Sequence, residues 1–359
     1  MKKDITIRPT AMIVEAMRAL DQTPGKTLLV VDEKKRLLGS LTDGDIRRYI
    51  LQDNILERDI SRGYYKNPVF VRKDNYSKKG LRELFIRHQI SIIPIVNKLG
   101  KVVDYATRED AFNGDESRSK LPSRLQIPVV IMAGGKGTRL EPFTRILPKP
   151  LVPIGEKTVI EIIMTRFQDF GLDHFYISIN HMSKIIKAYF EERQLKCKIS
   201  YLEEDEPLGT AGSLRLLQGK VEGPIFVSNC DNIIETDYAN LHAFHMENRY
   251  DITLVASLKE FNIPYGVCEV EKSGSLSIIR EKPEYNFLVN TGLYIVNDNL
   301  IRTIPEKTTY HMTDLINSVK KAGGNVGVYP IGDNSWIDIG AWSEYRNAIN
   351  TLEGKVVAI

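Results

Sequence analysis

A chain of 359 residues has room for two domains, or three, each able to bury a core. Its formal charge of +3 excludes the basic excess of a nucleic-acid binder and gives no reason to expect an acidic partner. Cys197, Cys230 and Cys268 are far apart and odd in number, which argues against a disulfide framework or a C-x-x-C metal site and for reduced thiols in a cytoplasm.

Met1-Lys2-Lys3-Asp4 is basic, but no apolar run follows, so a signal peptide is not expected. Apolar runs such as residues 90–96 are short and hold Pro94, so no membrane span is expected either. Residues 1–115 contain an internal repeat. Residues 28–45 read L-L-V-V-D-E-K-K-R-L-L-G-S-L-T-D-G-D, and residues 93–110 read I-P-I-V-N-K-L-G-K-V-V-D-Y-A-T-R-E-D. Shifted by 65 positions, Val31 falls on Val96, Thr42 on Thr107 and Asp45 on Asp110. A helical apolar pattern precedes each copy: Ile13, Ala16, Met17 and Leu20 in the first, Leu81, Leu84, Phe85 and His88 in the second. One unit of helix, strand, turn, strand and T-x-x-D is thus used twice.

The doubled unit resembles a tandem pair of CBS domains, a Bateman module, with copies at about 1–58 and 59–115. The resemblance implies that Thr42 with Asp45, and Thr107 with Asp110, contact the ribose and phosphates of a regulatory nucleotide. It also implies a homodimer or higher homo-oligomer, since such pairs commonly pack face to face. The same residues read as helix N-caps, because Thr three positions before an acid is a capping box in outline. Both roles are compatible.

Residues 116–126 read as a connector, polar and holding Pro122, without helical or strand period. From Ile127 strands and helices alternate to the end, which predicts an α/β domain over 127–359 with a doubly wound, mostly parallel sheet. The apolar run 127–132 ends in Ala133-Gly134-Gly135-Lys136-Gly137-Thr138-Arg139. A buried strand emptying into glycines exposes backbone N–H groups at the carboxyl edge of a sheet, where a phosphate can approach closely. Two familiar phosphate motifs fail on spacing. A dinucleotide fingerprint needs glycine where Leu140 stands, and the P-loop-like Gly25-Lys26-Thr27 has Leu20 where its first glycine belongs.

The order G-G-x-G-T-R-L followed by Pro148-Lys149-Pro150 resembles the signature of the sugar-1-phosphate nucleotidylyltransferases, which have a Rossmann-like nucleotidyltransferase fold. That reaction sends an oxygen onto the α-phosphorus of an NTP and expels pyrophosphate, so it rests on positioning and charge neutralisation. Residues 133–138 would cradle the phosphates. Arg139 and Lys149 would neutralise the departing end. Acids with hard oxygen ligands would hold Mg²⁺.

Further along, helices are expected over 159–170 and 184–190 and strands over 175–179, 198–202 and 225–228. Asp231 lies just past the last of these strands, and Asp338 stands in Trp336-Ile337-Asp338-Ile339-Gly340. The resemblance makes these two the metal ligands; by spacing alone each is equally a turn or cap residue. Strands over 252–257, 266–270, 275–280 and 293–296 form the expected acceptor region. There Glu281-Lys282-Pro283, Gly266 after Tyr265, and Asn290-Thr291-Gly292 match the family's sugar-phosphate segments in family order. A cation for the phosphate and a carboxylate for hydroxyls is the set a hexose phosphate needs. The segment Glu206-Pro207-Leu208-Gly209-Thr210-Ala211-Gly212 resembles the guanylyltransferase branch, in which Gly209's loop frames the base and GTP is the donor. A CBS pair ahead of such a domain is similar to the glucosamine-1-phosphate guanylyltransferases of legionaminic acid synthesis. His242 and His245 read as a solvated helix face, and Trp336 and Trp342 as packing.

Two readings follow. One is an enzyme joining an NTP, GTP favoured, to a sugar-1-phosphate of the glucosamine or mannose class, tuned by nucleotide at the CBS pair. The other is a nucleotide-sensing binding protein whose transferase domain is silent; it has no need for Arg139, Lys149, Asp231, Lys282 and Asp338 together.

Overall fold

The computed structural model describes residues 2–53, 58–88, 90–107, 110–111, 125–193 and 195–356. Of the expected connector, residues 116–124 lie outside the described residues. The chain divides into two compact units: Met1–Ser119 with Ser257–Val289 and Pro330–Asn334, and Lys120–Ala256 with Asn290–Tyr329 and Ser335–Ile359.

The first unit repeats itself. Its opening half runs β1 (Thr6–Ile7), α1 (Ile13–Asp21), β2 (Thr27–Val31), β3 (Leu37–Thr42) and α2 (Asp43–Asp53). The next half runs β4 (Val71–Arg72), α3 (Lys78–His88), β5 (Ile92–Val96) and β6 (Val102–Thr107). All three strands of the first half recur in the second at the 65-residue offset seen in the sequence. Each half folds as a three-stranded sheet with β2 or β5 in the middle. Even the irregularity recurs: the β2–β3 ladder shifts between Val30 and Val31, and the β5–β6 ladder between Ile95 and Val96.

Both middle strands are buried along their whole length, which is why they read as unbroken apolar runs and not as alternation. Ile13, Ala16, Met17 and Leu20 line the buried face of α1 and pack on Leu28, Val30, Ile46 and Ile50. Leu81 and Phe85 of α3 pack on Ile93, Ile95 and Ala106. His88, which fitted the helical pattern, is exposed. Residues 257–289 and 330–334 join this unit through Leu258 in its core and through the buried Arg47, whose Nε donates to Pro330 O at 2.8 Å.

The remaining elements are β7 (Val129–Met132), β8 (Pro153–Ile154), β9 (Lys157–Thr158), α4 (Val159–Gln168), β10 (His174–Ile179), α5 (Ser183–Glu192), β11 (Lys198–Glu203) and the single turn α6 (Gly209–Gly212). They continue with β12 (Pro224–Asn229), β13 (Asn232–Ile234), α7 (Tyr238–Glu247), β14 (Ile252–Asn262), β15 (Val267–Val270), β16 (Leu276–Arg280) and β17 (Glu284–Asn297). The chain closes with α8 (Met312–Lys321), β18 (Val326–Ile331), β19 (Trp336–Asp338) and α9 (Trp342–Val356).

Seven strands form one sheet in the order β11-β10-β7-β12-β17-β14-β18. The first four are parallel, and β17 lies antiparallel to β12, so the sheet is mixed beyond its parallel, doubly wound half. β7 is buried at every residue, as a central parallel strand must be. Phe167 of α4, Phe226 of β12 and Tyr238 of α7 interlock with ring centroids 4.4–5.8 Å apart. β14 and β17 run longer than their apolar runs, because their polar ends need only backbone pairing to stay extended.

His245 corrects one expectation. It is 1% exposed, with Nδ1 2.8 Å from Thr253 Oγ1 and Nε2 3.0 Å from Asn297 Oδ1. It is a satisfied core histidine and not part of a solvated face. Burial holds its pKa below the usual histidine value, and the Asn297 bond and the Asp251 charge oppose that only in part. No helix among the described residues is long and apolar enough to cross a membrane.

Candidate active site

The glycine loop leaves the carboxyl end of β7, between its parallel neighbours β10 and β12. Ala133 N–H still donates to Ser178 O at 2.9 Å, so the ladder holds one residue past the strand. The glycines beyond it differ in what they do. A Cβ on Gly135 would meet nothing within 4 Å, which leaves that backbone open to an approaching anion. Gly137 has φ +66°, and a Cβ there would press on Lys149 Cβ at 2.9 Å and Thr144 Cγ2 at 3.0 Å. Thr144 Oγ1 donates to Gly137 O at 2.9 Å and closes the loop. Thr138 and Arg139 then enter a short 3-10 turn anchored by the buried Leu140, with Lys136 and Arg139 exposed beside the open stretch.

Lys149 stands apart from those two cations. It is buried, and its Nζ lies 2.5 Å from Asp231 Oδ2, with the two side chains only 10% and 16% exposed. The expected pair of acids is brought together by a small ribbon. β13 and β19 pair antiparallel with Asn232 opposite Asp338, and Ile339 N–H donates to Asp231 O at 2.9 Å. Burial pushes the Asp338 carboxyl above the usual carboxylate range, and the negative charge of Asp231 adds to this; Gly340 N–H and Lys149 partly oppose it. Gly340 is tied to this acid, since a Cβ there would lie 3.0 Å from Asp338 Oδ1.

Two carboxylates placed so that the charge of Asp231 reaches Asp338 make a donor set suited to a hard divalent cation. Among the described residues no group of three or more His, Cys, Asp or Glu could hold a metal. An ion there would complete its shell with phosphate and water oxygens, as Mg²⁺ commonly does.

Glu204, just past β11, was not anticipated. Ser178 Oγ donates to its Oε1, and Leu208 N–H donates to its Oε2 at 2.9 Å. Asn180 Nδ2 donates to its backbone oxygen at 2.7 Å. A Cβ on Gly134 would lie 3.1 Å from Oε1, so this carboxylate sits directly against the glycine loop. The signal was the one used for Asp231, an acid at the carboxyl edge of a parallel strand, lost here in the run Glu203-Glu204-Asp205-Glu206. Gly209 packs elsewhere. With φ +79°, a Cβ there would come 2.7 Å from Tyr310 O, the oxygen that also accepts from the N–H groups of Ala211 and Gly212.

The acceptor residues are spread more widely. Thr291 is 1% exposed and its hydroxyl donates to Val255 O at 2.9 Å. Asn290 is exposed; its Nδ2 donates to the Tyr294 hydroxyl at 2.7 Å and its Oδ1 accepts from Gly292 N–H. Gly266, Glu281 and Lys282 fall in the other unit, all exposed, with Glu281 Oε2 3.1 Å from where a Gly266 Cβ would stand. In the repeat both T-x-x-D pairs are capping boxes. Thr42 N–H and Oγ1 donate to Asp45 Oδ2 at 2.9 and 2.6 Å, and Thr107 N–H and Oγ1 to Asp110 Oδ2 at 2.9 and 2.9 Å. Asp45 also pairs with Arg48, and Asp110 with Lys2.

The family model for nucleotidyl transferases matches residues 128–355, and that for the CBS domain matches residues 1–52. A UTP–glucose-1-phosphate uridylyltransferase from Synechocystis is 30% identical over 241 residues, 61% of this chain and 62% of that protein. A mannose-1-phosphate guanyltransferase from Yarrowia lipolytica is 36% identical over 192 residues, 50% of this chain and 52% of that protein. The chain thus spans between half and two thirds of the length of these relatives. Crystalline HddC from Yersinia pseudotuberculosis superposes with a TM-score of 0.51 at 25% identity, over 63% of this chain and 100% of that one. With its glycine loop, its paired acids and its N-terminal repeat, the chain belongs to the nucleotidyl transferase family and carries a CBS domain at its amino end.

Proposed function

We propose that this protein transfers a nucleotidyl group from an NTP to a sugar-1-phosphate, releasing pyrophosphate. The observation that carries the reading is Lys149, Asp231 and Asp338 gathered beside a glycine loop whose Gly135 face is open. The backbone N–H groups of the loop, with Lys136 and Arg139, take the outer phosphates and stabilise the charge that builds on departing pyrophosphate. Lys149 pairs with Asp231 and, by its charge, partly offsets the repulsion that Asp231 exerts on Asp338. Asp231 and Asp338 would hold Mg²⁺, which when bound supplies positive charge at the α-phosphate. The sugar phosphate oxygen needs no strong base, and orientation is what the protein provides.

GTP is the favoured donor, with glucosamine-1-phosphate or mannose-1-phosphate as acceptor. The loop at residues 206–212 resembles the guanylyltransferase type, and the Glu204 carboxylate, which accepts from Leu208 N–H in that loop, has lone pairs left that would suit the paired N–H donors of guanine. Nucleotide at the CBS pair would adjust the rate. Pyrophosphate release with Mg²⁺, four NTPs and a panel of hexose-1-phosphates tests the reading. Release is expected with GTP and an amino or mannose sugar phosphate; none from any pair would favour the silent nucleotide sensor.

A further inference from the structure

The basic segment that follows the glycine loop has little regular structure of its own. Between Gly137 and Pro153 it makes three short 3-10 turns, and its first strand, β8, is two residues long. Such a stretch depends on side chains reaching in from elsewhere to hold it. One turn of α9 does so at two points. Trp342 Nε1–H donates to Glu141 O at 2.8 Å, two residues past Arg139. The Tyr345 hydroxyl donates to Pro153 O at 2.6 Å, four residues past Lys149. Between these bonds Phe143 packs on both rings, with centroids 4.9 Å from Trp342 and 6.3 Å from Tyr345. Glu344, on the same turn, feels the charge of Arg139, although its Ser343 and backbone hydrogen bonds do more to lower its pKa. The helix starts just beyond Gly340, which lies against Asp338.

We infer that Trp342 and Tyr345 are positioning residues for the proposed transfer: as a two-point clamp they fix the segment bearing Arg139 and Lys149 relative to Asp338. Each acts through a backbone carbonyl, so losing the bond while keeping an aromatic ring in place should loosen the cations without opening the core. A displacement of a fraction of an ångström in groups that stabilise transition-state charge costs rate before it costs stability. The sequence suggested only packing for Trp342, because an indole beside an acid says nothing about the carbonyl its N–H will reach.

This inference rests on the proposed transfer, so its test carries one readout that needs no turnover. Wild-type full-length protein, Trp342→Phe, Tyr345→Phe and the double variant are compared in three measurements. These are calorimetric binding of inorganic tripolyphosphate, steady-state pyrophosphate release, and thermal unfolding. The double variant is expected to hold tripolyphosphate about tenfold more weakly and to turn over about tenfold more slowly. Its KM for the sugar phosphate should be unchanged and its Tm within a few degrees. Wild-type affinity and kcat in the double variant would overturn the inference. So would losses that merely track the unfolded fraction, or a wild type that does not bind tripolyphosphate. A wild type that binds it but releases pyrophosphate from no substrate pair would end the functional reading, and the clamp would then stand or fall on the affinities alone.

Discussion

Lys149 and Asp231 form a 2.5 Å ion pair under low exposure, at the point where the glycine loop and the β13–β19 ribbon meet. Removing one partner strands the other charge. Asp231→Asn should abolish most pyrophosphate release and lower stability by about 3 kcal/mol, read from denaturant unfolding. Adding Lys149→Met to that variant should recover stability but no activity. Wild-type turnover in Asp231→Asn would remove the acid from the chemistry.

The glycines of the loop should separate under mutation. Gly137→Ala meets both a positive φ and close contacts with Lys149 and Thr144, so about 1–2 kcal/mol of stability should be lost. Gly135→Ala has space for its methyl group and should unfold like wild type. Its KM for NTP should nonetheless rise several-fold, because the methyl would stand where the proposed phosphates approach. An unchanged KM would show that the phosphates lie elsewhere.

Acid should weaken the fold through His245. Its folded pKa lies below the unfolded value near 6.5, so the native state refuses a proton that the unfolded chain accepts. Stability is complete above that value and falls as pH drops below it, at no more than about 1.4 kcal/mol per pH unit for one proton. His174 and His242 are shifted the same way, chiefly by burial. Tm measured between pH 5 and 8 should decline on the acid side, and less steeply in His245→Gln. An identical slope in that variant would assign the decline to other groups.

The caps of the repeat give a fourth test. Thr42→Ala and Thr107→Ala each remove a reciprocal cap and should cost about 1 kcal/mol without any nucleotide present. If nucleotides at the repeat regulate the proposed transfer, adenine or guanine nucleotides titrated at fixed substrate should change the wild-type rate and change it less in these variants. A flat titration, with no heat of binding, would leave the two pairs as caps alone.

What could be read from sequence followed from how local each signal was. The strand–glycine transition at residues 127–137 lies in one short stretch, and the 65-residue repeat needs only two stretches laid side by side. The Asp231–Asp338 pairing came from resemblance, since nothing in either neighbourhood announces the other. That Lys149 faces Asp231 was not legible, because a buried ion pair between distant residues is settled by packing. Glu204 was hidden among neighbouring acids of equal propensity. His245 went astray because spacing at i, i+3 does not say which helix face meets β14, and Thr253 supplied the partner that made burial tolerable.

The three-residue β13–β19 ribbon joins the neighbourhood of Asp231 to Asp338, much further along the chain. On the ribosome, Lys149 and Asp231 emerge long before residue 338 is made, so a nascent chain can gather the loop but not the second carboxylate. Synthesis must pass residue 338 before the ribbon can pair, and a message broken ahead of that codon would leave Asp231 without the second acid of the proposed site.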